Sequence, residues 1–176
     1  VIGAGMMGAG IAHVAALAGI TVTLIDATQE AAERGRAQSE ALLDKAVSRR
    51  KMTPEKKAET LSRITPATDY AALAPCDLIV EAVFEDPAVK ADVTRRAEAA
   101  SGAIFATNTS TLPITALAKV SVRPDRFIGI HFFSPVDKMV LVEIIRGKQT
   151  APEAVAKALD FVRQLRKTPI VVNDAR

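Results

Sequence analysis

An open, mostly parallel α/β sheet, wound with helices on both faces, is the fold class this sequence predicts, and three observations predict it. Apolar runs of strand length alternate with stretches of helical periodicity along the chain, the order expected of βαβ units. The chain opens on Gly3-Ala4-Gly5-Met6-Met7-Gly8, set between the apolar pair Val1-Ile2 and an alanine-rich helix. That is the strand–turn–helix context of a phosphate-binding glycine loop. Near the C-terminal end two apolar runs flank the turn Ser134-Pro135-Val136-Asp137-Lys138 and read as an antiparallel strand pair. The class is therefore a Rossmann-type, doubly wound α/β sheet with one antiparallel pair, built as a single domain over residues 1–176.

The elements follow in order. Val1-Ile2 is the end of a first strand and Met7 to Ala18 a helix closed by Gly19, after which Thr21 to Ile25 form a strand leading to Asp26. Thr28 to Arg50 is a long amphipathic helix: Ala41, Leu42, Leu43, Ala46 and Val47 recur at helical spacing against a charged face. Thr53-Pro54 is a cap followed by proline at the first helical position, opening a helix to about Arg63. Leu78 to Val83 is a short apolar strand interrupted only by Glu81, as in a buried parallel sheet. Helices at 87–100 and 113–119, strands at 104–106, 127–133 and 140–145, a helix at 152–166 and a strand at 169–172 complete the alternation.

Composition narrows the function. The chain is 49% hydrophobic and 24% charged with a formal net charge of +3, a balance typical of globular proteins and too weakly basic to argue for nucleic acid. Trp is absent and Tyr70 is the only tyrosine, which removes an aromatic platform for bases. No apolar run reaches the ~18 residues of a membrane span. One cysteine, Cys76, excludes an internal disulfide framework and suits a reducing compartment. Val1 stands inside a strand, and the final Asn173-Asp174-Ala175-Arg176 leaves one. Both ends are accordingly expected to be boundaries of a fragment.

The glycine loop gives each residue a task. Gly3 allows the turn out of the strand, and Gly5 lets backbone come close to a pyrophosphate. Gly8 lets the helix pack on the sheet, and the N–H groups around Met6 and Met7 face the phosphates. Asp26 follows Gly5 by about 20 residues, the spacing of a carboxylate that binds a ribose 2′-OH. A carboxylate repels a 2′-phosphate, and Ala27-Thr28 supply no arginine to hold one, so the expected cofactor is NAD rather than NADP.

Of the two histidines, His13 sits within the first helix and reads as a packing residue. His131 lies at the end of an apolar strand, where ligand crevices form in open α/β sheets. If the two late strands form a hairpin centred on Asp137, His131 faces Glu143, each the same number of positions from the turn. Their Cβ atoms would then lie roughly 4.5–5.5 Å apart. A carboxylate there would fix the imidazole tautomer and stabilise an imidazolium; a structural His–Glu bridge is the alternative. Thr107-Asn108-Thr109-Ser110-Thr111 follows another strand end. Asn108 and Ser110 are placed either to hydrogen-bond a nicotinamide ribose or substrate oxygen, or to cap the turn near Pro113.

The stretches VIGAGMMGAGIA, DLIVEAVFED, TNTSTLPIT, GIHFFSPVDKMVLVEIIRG and KTPIVVND together resemble the NAD-binding domain of L-3-hydroxyacyl-CoA dehydrogenases. The likeness is greatest to the dehydrogenase part of the multifunctional fatty-acid β-oxidation α-subunit. It implies that His131 is the general base, Glu143 its orienting acid, and Ser110 a substrate and nicotinamide contact with Asn108 beside it. It further implies cofactor- and CoA-side contacts at Glu85 and Lys90, and a basic residue near the CoA phosphates at Arg49.

Two departures bear on this map: Thr107 stands where a serine is common, and Leu42 where a single-function relative offers a serine to CoA. The implied substrate is a (3S)-3-hydroxyacyl-CoA thioester, oxidised to the 3-oxoacyl-CoA. The implied assembly is a homo-oligomer or β-oxidation complex, in the bacterial cytoplasm or in a eukaryotic mitochondrial matrix or peroxisome. The family continues beyond this chain's last residues into a helical domain that closes the cleft. The alternatives are a 3-hydroxybutyryl-CoA dehydrogenase and a dinucleotide-binding module that is inactive on its own.

Overall fold

The computed structural model describes residues 1–174; the expected fragment boundary at Ala175-Arg176 lies outside the described residues. The elements are α1 (Met6–Leu17), β1 (Val22–Ile25), α2 (Gln29–Ser48), α3 (Pro54–Ser62), β2 (Ile64–Ala67), β3 (Leu78–Glu81) and α4 (Pro87–Ala100). They continue with β4 (Ile104–Thr107), α5 (Ile114–Leu117), β5 (Phe127–Phe132), β6 (Leu141–Arg146), α6 (Pro152–Gln164) and β7 (Thr168–Asn173). β1 pairs with β2 in parallel, and β3 through β7 form a second ladder in chain order. Ile2 joins the two through parallel bridges to Ile25 and Glu81. The sheet therefore runs β2, β1, Ile2, β3, β4, β5, β6, β7, and its order reverses at Ile2. In open α/β sheets such a reversal is where ligands bind, off the carboxyl ends of the strands.

Alternation along the strands builds two cores. Leu24, Val80, Ala106, Ile128 and Ile130 face a cluster with α1 and α6, whereas Ile25, Ile79, Phe105 and Phe127 face one with α4 and α5. Both layers are as expected of a doubly wound fold. Thr28 and Thr53 cap α2 and α3 by accepting from Ala31 and Lys56 N–H, and Pro54 and Pro87 stand in first helical turns.

Four features differ from the sequence reading. The first strand is reduced to the single bridging residue Ile2. β2 follows the helix expected to end at about Arg63, where the sequence predicts no element; it contains Pro66, which lacks a ladder donor and is accommodated because β2 is an edge strand. Tyr70–Leu73 makes a short 3-10 turn. The helix expected at 113–119 is split into α5 and a 3-10 turn at Ala118–Val120. The antiparallel pair is β5–β6, in the register expected: His131 is opposite Glu143.

Candidate active site

The glycine loop is shaped by backbone contacts. Gly3 has φ +93, and a β-carbon there would stand 2.7 Å from the Ala82 carbonyl oxygen; one on Gly8 would stand 1.7 Å from the Gly3 oxygen. At Gly5 nothing lies within 4 Å of that position, so the turn is open on its outer side. α1 starts there with no side-chain cap and no acidic residue in its first turn, leaving N–H groups and the positive helix end to meet an anion. The Asp26 carboxylate accepts from Ala4 N–H at 2.7 Å and from Ala27 N–H at 2.7 Å. It is thus pinned against the loop with acceptor capacity to spare. These residues fit a dinucleotide with a free 2′-OH.

The second part of the site lies along the same sheet edge, at the ends of β4 and β5. His131 Nδ1 is 2.8 Å from Glu143 Oε2, and His131 Nε2 is 3.2 Å from Ser110 Oγ. A carboxylate accepts only, so Nδ1 carries the ring hydrogen and Nε2 presents its lone pair to Ser110. The two side chains are 15% and 30% exposed, enough for a substrate to reach Nε2 while most of the pair is shielded. Phe133 packs on the imidazole at 4.6 Å between ring centroids. Asn108 joins the strand ends: its N–H donates to the Glu81 carbonyl and its Oδ1 accepts from Phe132 N–H.

Glu85 organises the Ser110 loop. Its Oε1 accepts from the Thr109 hydroxyl (2.5 Å), Ser110 N–H (3.0 Å), Thr111 N–H (3.2 Å) and the Thr111 hydroxyl (3.3 Å). Burial pushes the Glu85 carboxyl up. The Thr109 hydroxyl, the Thr111 and Ser110 amides and the Lys90 ammonium outweigh it and hold the group below its ordinary value. Lys90 itself is 1% exposed, 2.7 Å from Glu81 and 3.5 Å from Glu85. A buried cation needs carboxylate partners, and that position makes Lys90 a support behind Glu85.

The remaining assignments separate. Arg49 is exposed and caps α2 at the end away from Asp26, roughly 30 Å along the helix. Leu42 lines a cleft between α1, α2 and the loop after β5, together with Met6, Gln38, Ser134 and Pro135. His13 is buried in α1, as expected of a packing residue, and its Nδ1 lacks a hydrogen-bond partner among the described residues. Glu81, noted in the sequence only as the interruption of an apolar strand, is fully buried and bonded to Lys90 and Thr107. The signal was an acid inside the apolar run Leu78-Ile79-Val80-Glu81-Ala82-Val83, as Glu143 is inside Val140-Leu141-Val142-Glu143-Ile144-Ile145.

Comparisons with known proteins converge on one family. Residues 1–175 match the sequence model of the "3-hydroxyacyl-CoA dehydrogenase, NAD binding domain". The chain is 45% identical over 176 residues to the fatty acid oxidation complex subunit alpha of Psychrobacter sp. (strain PRwf-1), covering 99% of this chain and 24% of that protein. Its structure superimposes on the (S)-3-hydroxybutyryl-CoA dehydrogenase of Ralstonia eutropha with a TM-score of 0.96 at 40% identity, over 99% of this chain and 62% of the other. The 3-hydroxybutyryl-CoA dehydrogenase of Escherichia coli gives 0.95 at 39% identity, over 99% and 37%. The chain thus spans about a quarter of the Psychrobacter protein and under two thirds of either dehydrogenase.

Proposed function

From the premise that the chain belongs to the 3-hydroxyacyl-CoA dehydrogenase family through its NAD-binding domain, we propose that it supplies the cofactor groove and the general base of an enzyme that oxidises (3S)-3-hydroxyacyl-CoA to 3-oxoacyl-CoA. The observation that carries this reading is the Ser110–His131–Glu143 line at the ends of β4 and β5, on the sheet edge that also holds the glycine loop. NAD, when bound, supplies the acceptor for the hydrogen and electron pair that leave C3. Gly3 to Gly8 hold its pyrophosphate and Asp26 its ribose hydroxyls. Ser110 orients the substrate oxygen, and His131 Nε2 takes the hydroxyl proton as the carbonyl forms. Glu143, on the far ring nitrogen, stabilises the imidazolium. General-base catalysis of this kind contributes roughly 10²–10⁴-fold.

The acyl-CoA chain is proposed to run along the cleft lined by Met6, Leu42 and Pro135. In the proposed setting, a bacterial cytoplasm, the chain is part of a longer protein within a fatty-acid oxidation assembly, like the Psychrobacter relative. A short acyl chain is the narrower reading, favoured by the names of the Ralstonia and Escherichia relatives.

Two measurements test the proposal. Titration of the 176-residue chain should give much tighter binding of NADH than of NADPH; equal affinities would sink the role of Asp26. Turnover of 3-hydroxyacyl-CoAs of increasing length, by the protein read from its complete reading frame, should be NAD-dependent. It should far exceed that of residues 1–176 alone, where nothing beyond this domain covers the substrate. Absence of turnover on every chain length would overturn the reaction.

A further inference from the structure

Glu81 is the last residue of β3, in register with Thr107 of β4, and has no exposed surface. Both oxygens of its carboxylate are engaged. Oε1 accepts from Lys90 Nζ at 2.7 Å and Val83 N–H at 2.8 Å, and Oε2 from the Thr107 hydroxyl at 2.7 Å. Its backbone bridges Ile2 on one side, and its carbonyl takes Asn108 N–H at 2.7 Å on the other. The residue therefore touches the strand of the glycine loop, the strand of the Ser110 loop and helix α4 at once.

The ammonium it holds is the hinge of the arrangement. Lys90 Nζ lies between two carboxylates, Glu81 at 2.7 Å and Glu85 at 3.5 Å. Glu85 faces it with Oε2 and turns Oε1 to four donors of Thr109, Ser110 and Thr111. Ser110 Oγ then meets His131 Nε2. Burying two charges is costly, and an apolar pair of similar size would often stabilise a fold as well or better. An ion pair kept fully buried beside a loop that carries a reacting group has a use that packing alone does not give it.

We infer that Glu81 is a positioning residue for the reaction: by fixing the Lys90 ammonium it sets Glu85, and through Glu85 the distance of Ser110 from His131. Glu81 touches no ligand. The inference rests on the functional reading of Ser110 and His131. Removing the Glu81 charge leaves Lys90 with Glu85 as its one carboxylate partner, draws the two together and pulls Oε1 off the Ser110 loop.

The test compares wild type, Glu81→Gln and the double variant Glu81→Gln/Lys90→Met. The chain has only two histidines, so the His131 imidazole nitrogen signal can be read by NMR on the 176-residue chain without substrate. Glu81→Gln should shift that signal and, in the protein from its complete reading frame, lower kcat roughly 10- to 100-fold, the cost of a small misplacement, with KM little changed. The double variant removes the buried ammonium that Glu81→Gln leaves with a single carboxylate, so it should regain melting temperature while kcat and the imidazole signal stay altered, because Glu85 has lost its cation.

Recovery of kcat together with melting temperature would make the pair merely structural and overturn the inference. So would a Glu81→Gln protein with wild-type kcat and an unchanged signal. If Glu81→Gln does not fold, the double variant decides by the same criteria. A wild-type protein that turns over no hydroxyacyl-CoA would defeat the proposed function, whereas an unmoved imidazole signal would defeat this inference.

Discussion

The glycine loop and the β5–β6 edge lie on one side of one sheet, yet they are made of different material. At the loop, backbone does the work: absent β-carbons let Gly3 approach Ala82 and Gly8 approach Gly3, and helix N–H groups point outward with no side chain to cap them. At the β5–β6 edge, side chains do it: Glu143, His131 and Ser110 are joined by hydrogen bonds of 2.8 and 3.2 Å. A site defined by missing atoms fails by obstruction, and its damage shows first in stability and cofactor affinity. A site defined by present groups fails by losing a charge or a lone pair, and its damage shows in turnover. The two regions should therefore respond to substitution in separable ways.

The largest effect is expected at the side-chain region. Glu143→Gln preserves shape but replaces the acceptor on Nδ1 by an amide without charge. The imidazolium then forms without its stabiliser, and the ring tautomer is no longer fixed. In the protein from its complete reading frame kcat should fall by roughly 10²-fold or more, within the range of general-base contributions, while NADH affinity stays near wild type. Near-normal turnover would reduce the His131–Glu143 pair to a structural bridge. An equal loss of NADH affinity would break the separation between the regions.

Next is the loop. Gly8→Ala places a β-carbon 1.7 Å from a backbone oxygen, a contact that no rotamer change relieves, so α1 must move away from the first turn. Overpacking costs about 1–3 kcal/mol, and one kcal/mol shifts the melting temperature of a domain this size by about 2–4 °C. A drop on the order of 10 °C with weakened NADH binding is expected in a melt and a titration. A variant that melts like wild type would show that the loop is not held by close packing.

This contrast also explains what was legible in the sequence. Glycine and its spacing are visible in a string of letters, so the loop and Asp26 could be placed directly. The His131–Glu143 pairing was legible because a hairpin has a centre: equal offsets from Asp137 put the two residues opposite each other, and the register agrees.

What escaped depends on contacts between elements distant in the chain. The resemblance makes Lys90 a cofactor- or CoA-side contact, and nothing in its helix announces that Glu81 and Glu85 enclose it. Val136 lies against Gly10, where a β-carbon would come within 2.9 Å of it, and no local pattern predicts that the loop after β5 crosses α1 there. β2 was missed because Ile64-Thr65-Pro66-Ala67 has a proline and no apolar run, which only an edge position tolerates.

The smallest expected effect belongs to a residue of α1 that is part of neither region. His13 projects from α1 near the loop that follows β5. Burial lowers its affinity for a proton below the ordinary value, with the charge of Asp137 opposing in part. Its Nδ1 has no partner among the described residues, so nothing there rewards protonation. The sign follows from linkage: where the unfolded state binds more protons than the folded one, stability falls as pH falls. Above the unfolded value of 6.5 both states hold a neutral ring and the fold loses nothing. Below it the unfolded chain takes up a proton that the folded chain resists until its own lower value is reached.

Melting temperature should therefore decline on acidification from pH 7 toward pH 5 more steeply in wild type than in His13→Met, which fills similar space and does not titrate. Subtracting the variant's pH profile from that of wild type cancels the groups they share, including Glu55, Glu59 and Glu85, whose lowered values act at lower pH, as acids lose their stabilising charge. The difference should be no more than the ~2–4 °C that one kcal/mol produces in a domain of this size. Parallel profiles would mean that His13 keeps an ordinary proton affinity, and that the contact between α1 and the Val136–Asp137 loop is looser than its packing indicates.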